Sequence, residues 1–589
     1  MNNNKNKVII ANMSGFYGDR FSAAKEMVEG GPIDYLTGDY LAELTMAILY
    51  KAKVKRPETG YAVSFLKQME GIMGTCLDKS IRVIVNAGGL NPSGLAAALK
   101  SVAKLLKVHP SIAYIEGDDL MPRLSDLQKA GASLKHLEKN TTLAESNMTP
   151  ISANAYLGCW GIVQALSQGA DIVVTGRVSD TSVVMGPAAY HFGWSKDNWD
   201  ALAGAAVVGH IIECGGQATG GNYSFFDEVP SFDNIGFPIA ELHSDGSAVI
   251  TKHPGTGGLV STGTITAQLL YEINAPQYIT PDVVAHFDTI NLSDDGLDRV
   301  KVSETKGSPA TDTAKVTINC VAGYQNNMTF HLIGMDVERK AEILKQSFIK
   351  NVGGENAFDK LDIKLFKNDT DELKSIEEGF STMRISVTDK DANKAGKFFT
   401  SKLIELALCT VPGWCMGSPP RPARPRIVHF PALIEKKYLT QKINVDGNET
   451  LLNEMPANTK PNPISKPIDY NITTSVLGPI QTARLGEIYA ARSGDKGGNA
   501  NVGIWGKTDK SYAFLSEYLT VKKIKTLLPD TAPFEIIRYE FPNLKGLNFY
   551  IKGYLEDGVA ASTKMDAQAK TLGEYLRFQK MEIPVDLLI

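Results

Sequence analysis

The sequence predicts an α/β protein built on a mostly parallel, layered sheet. Two observations carry this. Short β-branched runs stop at glycine plus a polar residue, as in "KVIIANMSG", "IRVIVNAGG", "SIAYIEGDD" and "ADIVVTGRVSD". Between them lie helical stretches: "FSAAKEMVEG", "YLAELTMAILYKAK", "SGLAAALKSVAKLLKV" and "YLGCWGIVQALSQG". Strand, polar turn and helix in alternation mark a parallel sheet, and continuous apolar strands fit burial on both faces. An open sheet is the first choice and a closed β/α barrel the alternative, because strand closure is not written in the sequence.

Further along, the pattern changes. "AELHSDGSAVITKHPGTGG" reads as a hairpin and a glycine-rich turn, and "VSTGTITAQLLYEI" as the opening of a helix. "DTAKVTINCVAGYQNNMTFHLIGMD" reads as paired strands, and "VERKAEILKQSFIKNV" as a helix. Residues 1–285 are thus expected to form the α/β domain and 286–435 an α+β region. Residues 436–482, rich in Asn, Pro, Lys and Thr, read as a linker. Residues 483–589 are long enough for a compact α+β unit of their own.

Composition bounds the function. The chain has 589 residues, 43% hydrophobic and 21% charged, with a formal net charge of -4. That is ordinary for a globular protein and argues against a nucleic-acid partner. The start has no apolar segment of signal type, and no run is long and apolar enough for a membrane span. A cytoplasmic protein with no membrane contact is expected. Six scattered cysteines without a C-x-x-C pair suit reduced thiols, and no zincin or nucleophile-elbow motif occurs. Neither a metal nor a resident cofactor is expected.

In parallel sheets ligands gather outside the carboxyl ends of the strands. That rule singles out Ser14, Gly15, Gly18 and Asp19 after the first run, and Asn86, Gly88, Gly89 and Asn91 after another. It also singles out Asp118, Thr175 and Gly176. Glycine permits a sharp turn and close backbone approach, and a following helix offers free N–H groups to an anion. The alternative is that the Asn, Asp and Ser residues cap helices. Arg177 is suited to grip a carboxylate or phosphate in a forked pair, and Asp180, three residues on, to hold it or act as a base. A purely structural Arg–Asp pair is equally open.

Asp39 and Glu43, four apart on a helix-like stretch, are candidate acid–base groups sharing one face. A cap and an exposed face is the competing reading. "CGGQATGG" supplies Gln217, Thr219 and Gly220. "KHPGTGG" supplies Lys252, His253, Gly255, Thr256 and Gly257, with His253 the foremost histidine candidate and the glycines a candidate anion nest. Cys214 reads as a buried, inert thiol. Near the C-terminus "ARSGDKGGNANVG" joins two apolar runs by what reads as a long glycine-rich loop. It carries Arg492, Ser493, Asp495, Lys496, Asn499 and Asn501. The loop either closes over the first domain's turns or serves a separate partner; a plain hairpin turn is the third reading.

"SGFYGDR", "DYLTGDYLAELTM", "VTGRVSDTSVVMGPAAYHFGW", "CGGQATGGNY" and "HPGTGGLVSTGTITAQLLYEI" resemble the acyclic terpene utilisation AtuA family, formerly a domain of unknown function, over about residues 7–440. The segment around "ARSGDKGGNANVG" resembles the small ferredoxin-fold domain that accompanies AtuA. The resemblance implies bacterial catabolism of acyclic terpenes through CoA thioesters. It carries over no catalytic residues. An enzyme acting on a branched acyl-CoA or related carboxylate, of lyase or hydratase type, is expected, with the CoA thioester part of the substrate. The alternative is a non-catalytic scaffold of a catabolic complex. A homo-oligomer or association with other catabolic enzymes fits either reading.

Overall fold

The computed structural model describes residues 6–370, 372–453 and 478–588. Five parallel strands form the centre of its main sheet: β1 (Lys7–Asn12), β2 (Tyr35–Gly38), β3 (Arg82–Val85), β4 (Ile112–Glu116) and β5 (Ile172–Thr175). They lie in the order β1-β2-β3-β5-β4. Their side chains alternate between two cores. Val83, Val85 and Val174 face the helices Ala23–Glu29, Val63–Asp78 and Pro92–Leu106. Ile84 and Val173 face the helices Trp160–Ser167, Ser182–Phe192 and Trp199–Ile212. A strand covered on both faces needs no polar alternation, which is why these runs read as unbroken Val and Ile.

Antiparallel strands extend the sheet at both edges, so it is open, not a barrel. Beside β1 lies β6 (Pro238–His243), hairpinned to β7 (Ala248–Lys252), followed by Val300–Ser303 and Asn291–Asp294. A second, antiparallel sheet is organised by the twenty-residue strand β8 (Thr313–Leu332). It pairs with β9 (Arg424–Glu435), with Thr149–Ala155 and with Ser381–Asp389. Gly323, at φ +87°, sits where the register with β9 slips between Val321 and Tyr324. The helix Val337–Val352 packs Leu344 and Phe348 beneath this sheet.

The stretch expected as linker begins differently. Residues 440–453 form a hairpin, β10 (Thr440–Val445) and β11 (Asn448–Asn453), and β10 completes the main sheet beside β4. Gln441, Ile443 and Val445 point inward, and Asp446-Gly447 make the turn, both at positive φ. An Asp-Gly two-residue turn between alternating residues is a hairpin signal that the polar composition hid. Residues 454–477 of that stretch lie outside the described residues, and its last residues enter the strand Ile480–Arg484, paired with Lys580–Pro584.

The C-terminal unit contains β12 (Ala490–Lys496), β13 (Asn499–Trp505), β14 (Ile536–Phe541) and β15 (Gly546–Ile551), in the order β12-β13-β15-β14. From β13 the chain runs through two helices into the β14–β15 hairpin and then the helix Leu572–Phe578. This follows the ferredoxin-like plan, with β12 in the slot of the last strand. The expected long loop between its apolar runs is absent. Register runs from Ala490–Trp505 to Lys496–Asn499, and only Gly497 and Gly498 form the turn. The polar residues lie within the strands.

Candidate active site

The strand-end turns meet at one edge of the main sheet. After β1, Asn12 accepts a hydrogen bond from Ser14 N (2.6 Å) and donates to Glu213 O (3.4 Å). After β2 comes Asp39. After β3, Asn86 donates to Asp39 Oδ1 (2.5 Å) and accepts from Tyr40 N (2.8 Å). After β4, Asp118 accepts from Arg177 N and Asn154 Nδ2, both at 2.8 Å. After β5 follow Thr175, Gly176, Arg177 and Asp180. Two glycines are fixed by this crowding. A Cβ on Gly176 would overlap the Asp118 carboxylate, and one on Gly88 would come within 2.5 Å of Thr175 O.

At the centre stand three carboxylates. Oxygens of Asp39, Asp180 and Glu213 lie within 4.8 Å of one another. Burial pushes Asp39 well above the usual carboxylate range, and the negative charge of Asp180 adds to the shift. Glu213 is raised for the same two reasons, with Glu272 contributing. Arg177 offsets part of this charge. Its Nη1 pairs with Asp180 and lies 3.5 Å from Leu41 O, and its guanidinium lies 4.1 Å from the centre of the Tyr156 ring. Like charges this close cannot all ionise cheaply, so Asp39 and Glu213 give up their protons less readily than isolated carboxyls. The same oxygens could also hold a hard divalent cation.

Glu43 extends the network. It accepts from Tyr156 OH (3.1 Å) and pairs with Lys315 (3.0 Å), whose strand lies far along the chain. Burial alone would raise it, but Lys315, His429 and Arg177 hold it well below the usual range. Asp39 and Glu43 do not share a helix face as expected. Asp39 ends a strand and accepts from Leu41 N, Ala42 is the N-cap, and Glu43 is the first helical residue. They belong to one network because the turn between them wraps Arg177, not because of helical spacing.

The C-terminal hairpin closes the edge. A Cβ at Gly494 would come 2.5 Å from Tyr271 Cε2, and one at Gly503 2.5 Å from Leu270 Cβ, so the hairpin's glycines are contact surfaces. Asn501 donates to Leu270 O (2.8 Å) and accepts from Glu272 N (3.0 Å). Ser493 Oγ accepts from Gly573 N (2.8 Å), within its own unit. Arg492 pairs with Gln217 Oε1 and lies 4.2 Å from the Tyr271 ring centre. Lys496 lies 5.8 Å from the Tyr278 ring centre, and its charge acts on Glu213 and His210. Asp495 is raised well above the usual range by burial and by Glu272. Asn499 pairs with Glu138 and Tyr550 at the turn.

Other residues singled out in the sequence have local partners. Asp19 accepts from Gly15 N (2.7 Å) and Arg20 N (2.6 Å), and burial raises it. Gly15 lies tight against the Cys214 backbone, whereas a Cβ on Gly18 would meet only the Phe16 side chain. Asn91 caps the helix Pro92–Leu106 through Gly94 N (3.0 Å), and Gly89, at φ +52°, makes the turn before it. Thr219 bonds Gly236 O (2.9 Å), and Gly220 sits at φ +105°. His253 Nε2 meets Met27 O at 3.0 Å, with its ring pressed on Gly30 and Gly31. Lys252 pairs with Asp298 (3.0 Å) and bonds Thr256 O (3.1 Å). Gly257 packs on Ser231, while Gly255 has open space around it. The Cys214 thiol is pushed up by burial and by Glu213.

Several network members escaped the sequence reading: Glu213, Tyr156, Lys315, Glu272 and Tyr278. Glu213 did leave a signal. It is a lone carboxylate at the end of "GAAVVGHII", a helix buried all round, and a charge there needs a reason. His429 is buried against Glu43, and neither ring nitrogen has a hydrogen-bond partner among the described residues.

No helix among the described residues is long and apolar enough to cross a membrane. No curated protein and no solved structure matches the chain. Residues 8–445 match the acyclic terpene utilisation family protein AtuA, and residues 483–582 match the AtuA ferredoxin-like domain. The chain therefore belongs to the AtuA family, linked to acyclic terpene utilisation, and carries the AtuA ferredoxin-like domain at its C-terminal end.

Proposed function

We propose that this chain is an enzyme of acyclic terpene or branched acyl-CoA degradation. In this reading the Asp39–Asp180–Glu213 centre moves protons in a lyase- or hydratase-type step. The observation that carries it is the convergence of three strand- and helix-end carboxylates beside Arg177 and Lys496. Raised carboxyls of Asp39 and Glu213 next to Asp180, which is paired with Arg177, place candidate acid and base groups in one site. Arg177 and Lys496 would stabilise negative charge developing on a thioester or carboxylate oxygen. The C-terminal hairpin would belong to the same site, since it brings Lys496 and Asp495 to the carboxylates.

The test needs no knowledge of the net reaction. The protein is incubated in deuterated water with a panel of branched, unsaturated acyl-CoAs. Mass spectrometry then follows exchange of carbon-bound hydrogen and addition or loss of water. Exchange or turnover by the wild type that is lost in Asp180→Asn and Glu213→Gln supports the reading. Full activity in both folded variants, or none with any member of the panel, favours the non-catalytic scaffold.

A further inference from the structure

A second cleft opens between the helix Glu43–Lys55, the second sheet and the C-terminal unit. It encloses about 330 Å³. Lys51, Arg384, Arg424 and Lys564 line it, and among the described residues no carboxylate does. None of the four is in an ion pair among the described residues, although Asp530 and Glu556 act on Lys564 from outside the cleft. Arg384 donates to Thr563 O through Nη2, while its Nε is buried without a partner. Four cations gathered in a concave surface that no described carboxylate lines make a favourable place for an anion. Two of them are forked guanidinium groups, the geometry that recognises phosphate.

Leu44, Val559 and Ala560 line the cleft and also line a smaller cavity of about 50 Å³. On the other side of that shared apolar wall the cavity is lined by Glu43, Asp495 and His429. His429 is 9% exposed, and both its ring nitrogens lack partners among the described residues. Burial pushes its pKa down to about 4, so at neutral pH it presents one free donor and one free acceptor. Glu43 ties this cavity to Arg177 through Tyr156.

We infer that the cleft binds the phosphate-bearing end of an extended nucleotide-tailed thioester. The slender arm of that ligand runs along Leu44, Val559 and Ala560, which line both cavities, and its acyl end is directed to His429, Glu43 and Asp495. This inference rests on the acyl-CoA reading and deepens it. It assigns the polyanionic end to a surface shared by both family segments, away from the three-carboxylate centre.

Calorimetric titration of the full chain with coenzyme A, adenosine 3′,5′-bisphosphate, pyrophosphate and pantetheine tests it. Lys51 and Arg424 are exposed, so Lys51→Gln/Arg424→Gln should fold normally. This variant should weaken coenzyme A and the bisphosphate by about tenfold or more and leave pantetheine unchanged. Wild-type affinity for coenzyme A should fall as salt rises. Coenzyme A binding that is undetectable, unchanged in this variant and in Arg384→Gln/Lys564→Gln, or no tighter than pyrophosphate overturns the inference. Glu213→Gln should retain wild-type coenzyme A affinity. Loss of exchange activity with intact binding in that variant, and loss of binding in the cation variants, separates the two readings.

Discussion

Gly494→Ala probes how tightly the hairpin must seat. A Cβ at this position would lie 2.5 Å from Tyr271 Cε2 and 2.8 Å from Glu272 Cγ. Carbon atoms settle at about 3.5–4.0 Å, so relief needs a displacement of about 1 Å. Backbone conformation is not at stake, because Gly494 is not at positive φ. The strain should cost about 1–3 kcal/mol of stability, the usual range for overpacking a close contact. It should also move Arg492, Asp495 and Lys496, which share the strand. A misplacement of about 1 Å in a positioned group is enough to lower a rate by about 100-fold. The assay pairs exchange activity with amide hydrogen exchange across residues 490–505. Lowered activity with faster amide exchange confined to the hairpin and the 270–272 contact is expected. Gly478→Ala, with nothing within 4 Å of its Cβ, is the control and should be silent. Wild-type activity and protection in Gly494→Ala would refute the close-seating argument.

Further predictions concern pH, stability and ions. Asp118 is raised from 3.8 to about 7, chiefly by burial. Its contribution to stability is full below the unfolded pKa and is lost as pH rises from about 4 to about 7, on the order of 4 kcal/mol. Subtracting the pH–stability curve of Asp118→Asn from that of the wild type should isolate this fall. A flat difference would show Asp118 to be ionised throughout. His429, lowered to about 4 from 6.5, has the opposite sign. Its contribution is present above pH 6.5 and lost as pH falls toward 4, so His429→Gln should lose less stability on acidification than the wild type. In the helix Val63–Asp78, Gly71 and Gly74 have open space around the Cβ position. Each Gly→Ala change there should stabilise by about 0.5–1 kcal/mol in denaturant melts. Millimolar Mg²⁺ should leave the melting temperature unchanged, because Arg177 and Lys496 already counter the carboxylates. An upward shift that vanishes in Glu213→Gln would instead mark a cation site.

The legible parts of this protein are those set by local physics. Unbroken Val and Ile runs ending in glycine identified the doubly covered strands. The rule that ligands gather at carboxyl ends then led to Asn86, Asp118, Arg177 and Asp180, whereas Asp39 was reached by a helix-face argument that the structure does not bear out. What stayed hidden depends on contacts between distant segments. Lys315 alternates with apolar residues on β8 like any strand residue, and only the fold brings it to Glu43. Glu213 was masked by its apolar helix. The "ARSGDKGGNANVG" segment misled in one respect. Its glycines signalled a loop, yet Gly494 and Gly503 are strand residues whose missing side chains let the hairpin lie against Tyr271 and Leu270. Glycine marks close approach as well as turning, and its context decides which.

The proposed chemistry requires that a raised carboxyl of the Asp39–Asp180–Glu213 centre stays protonated at neutral pH. Infrared difference spectroscopy between the wild type and Glu213→Gln or Asp39→Asn reads this directly through the carbonyl stretch of a protonated carboxyl. A band present at pH 7 in the wild type and lost in one of these variants is predicted. Wild-type and variant spectra showing only ionised carboxylates at pH 7 would contradict the account.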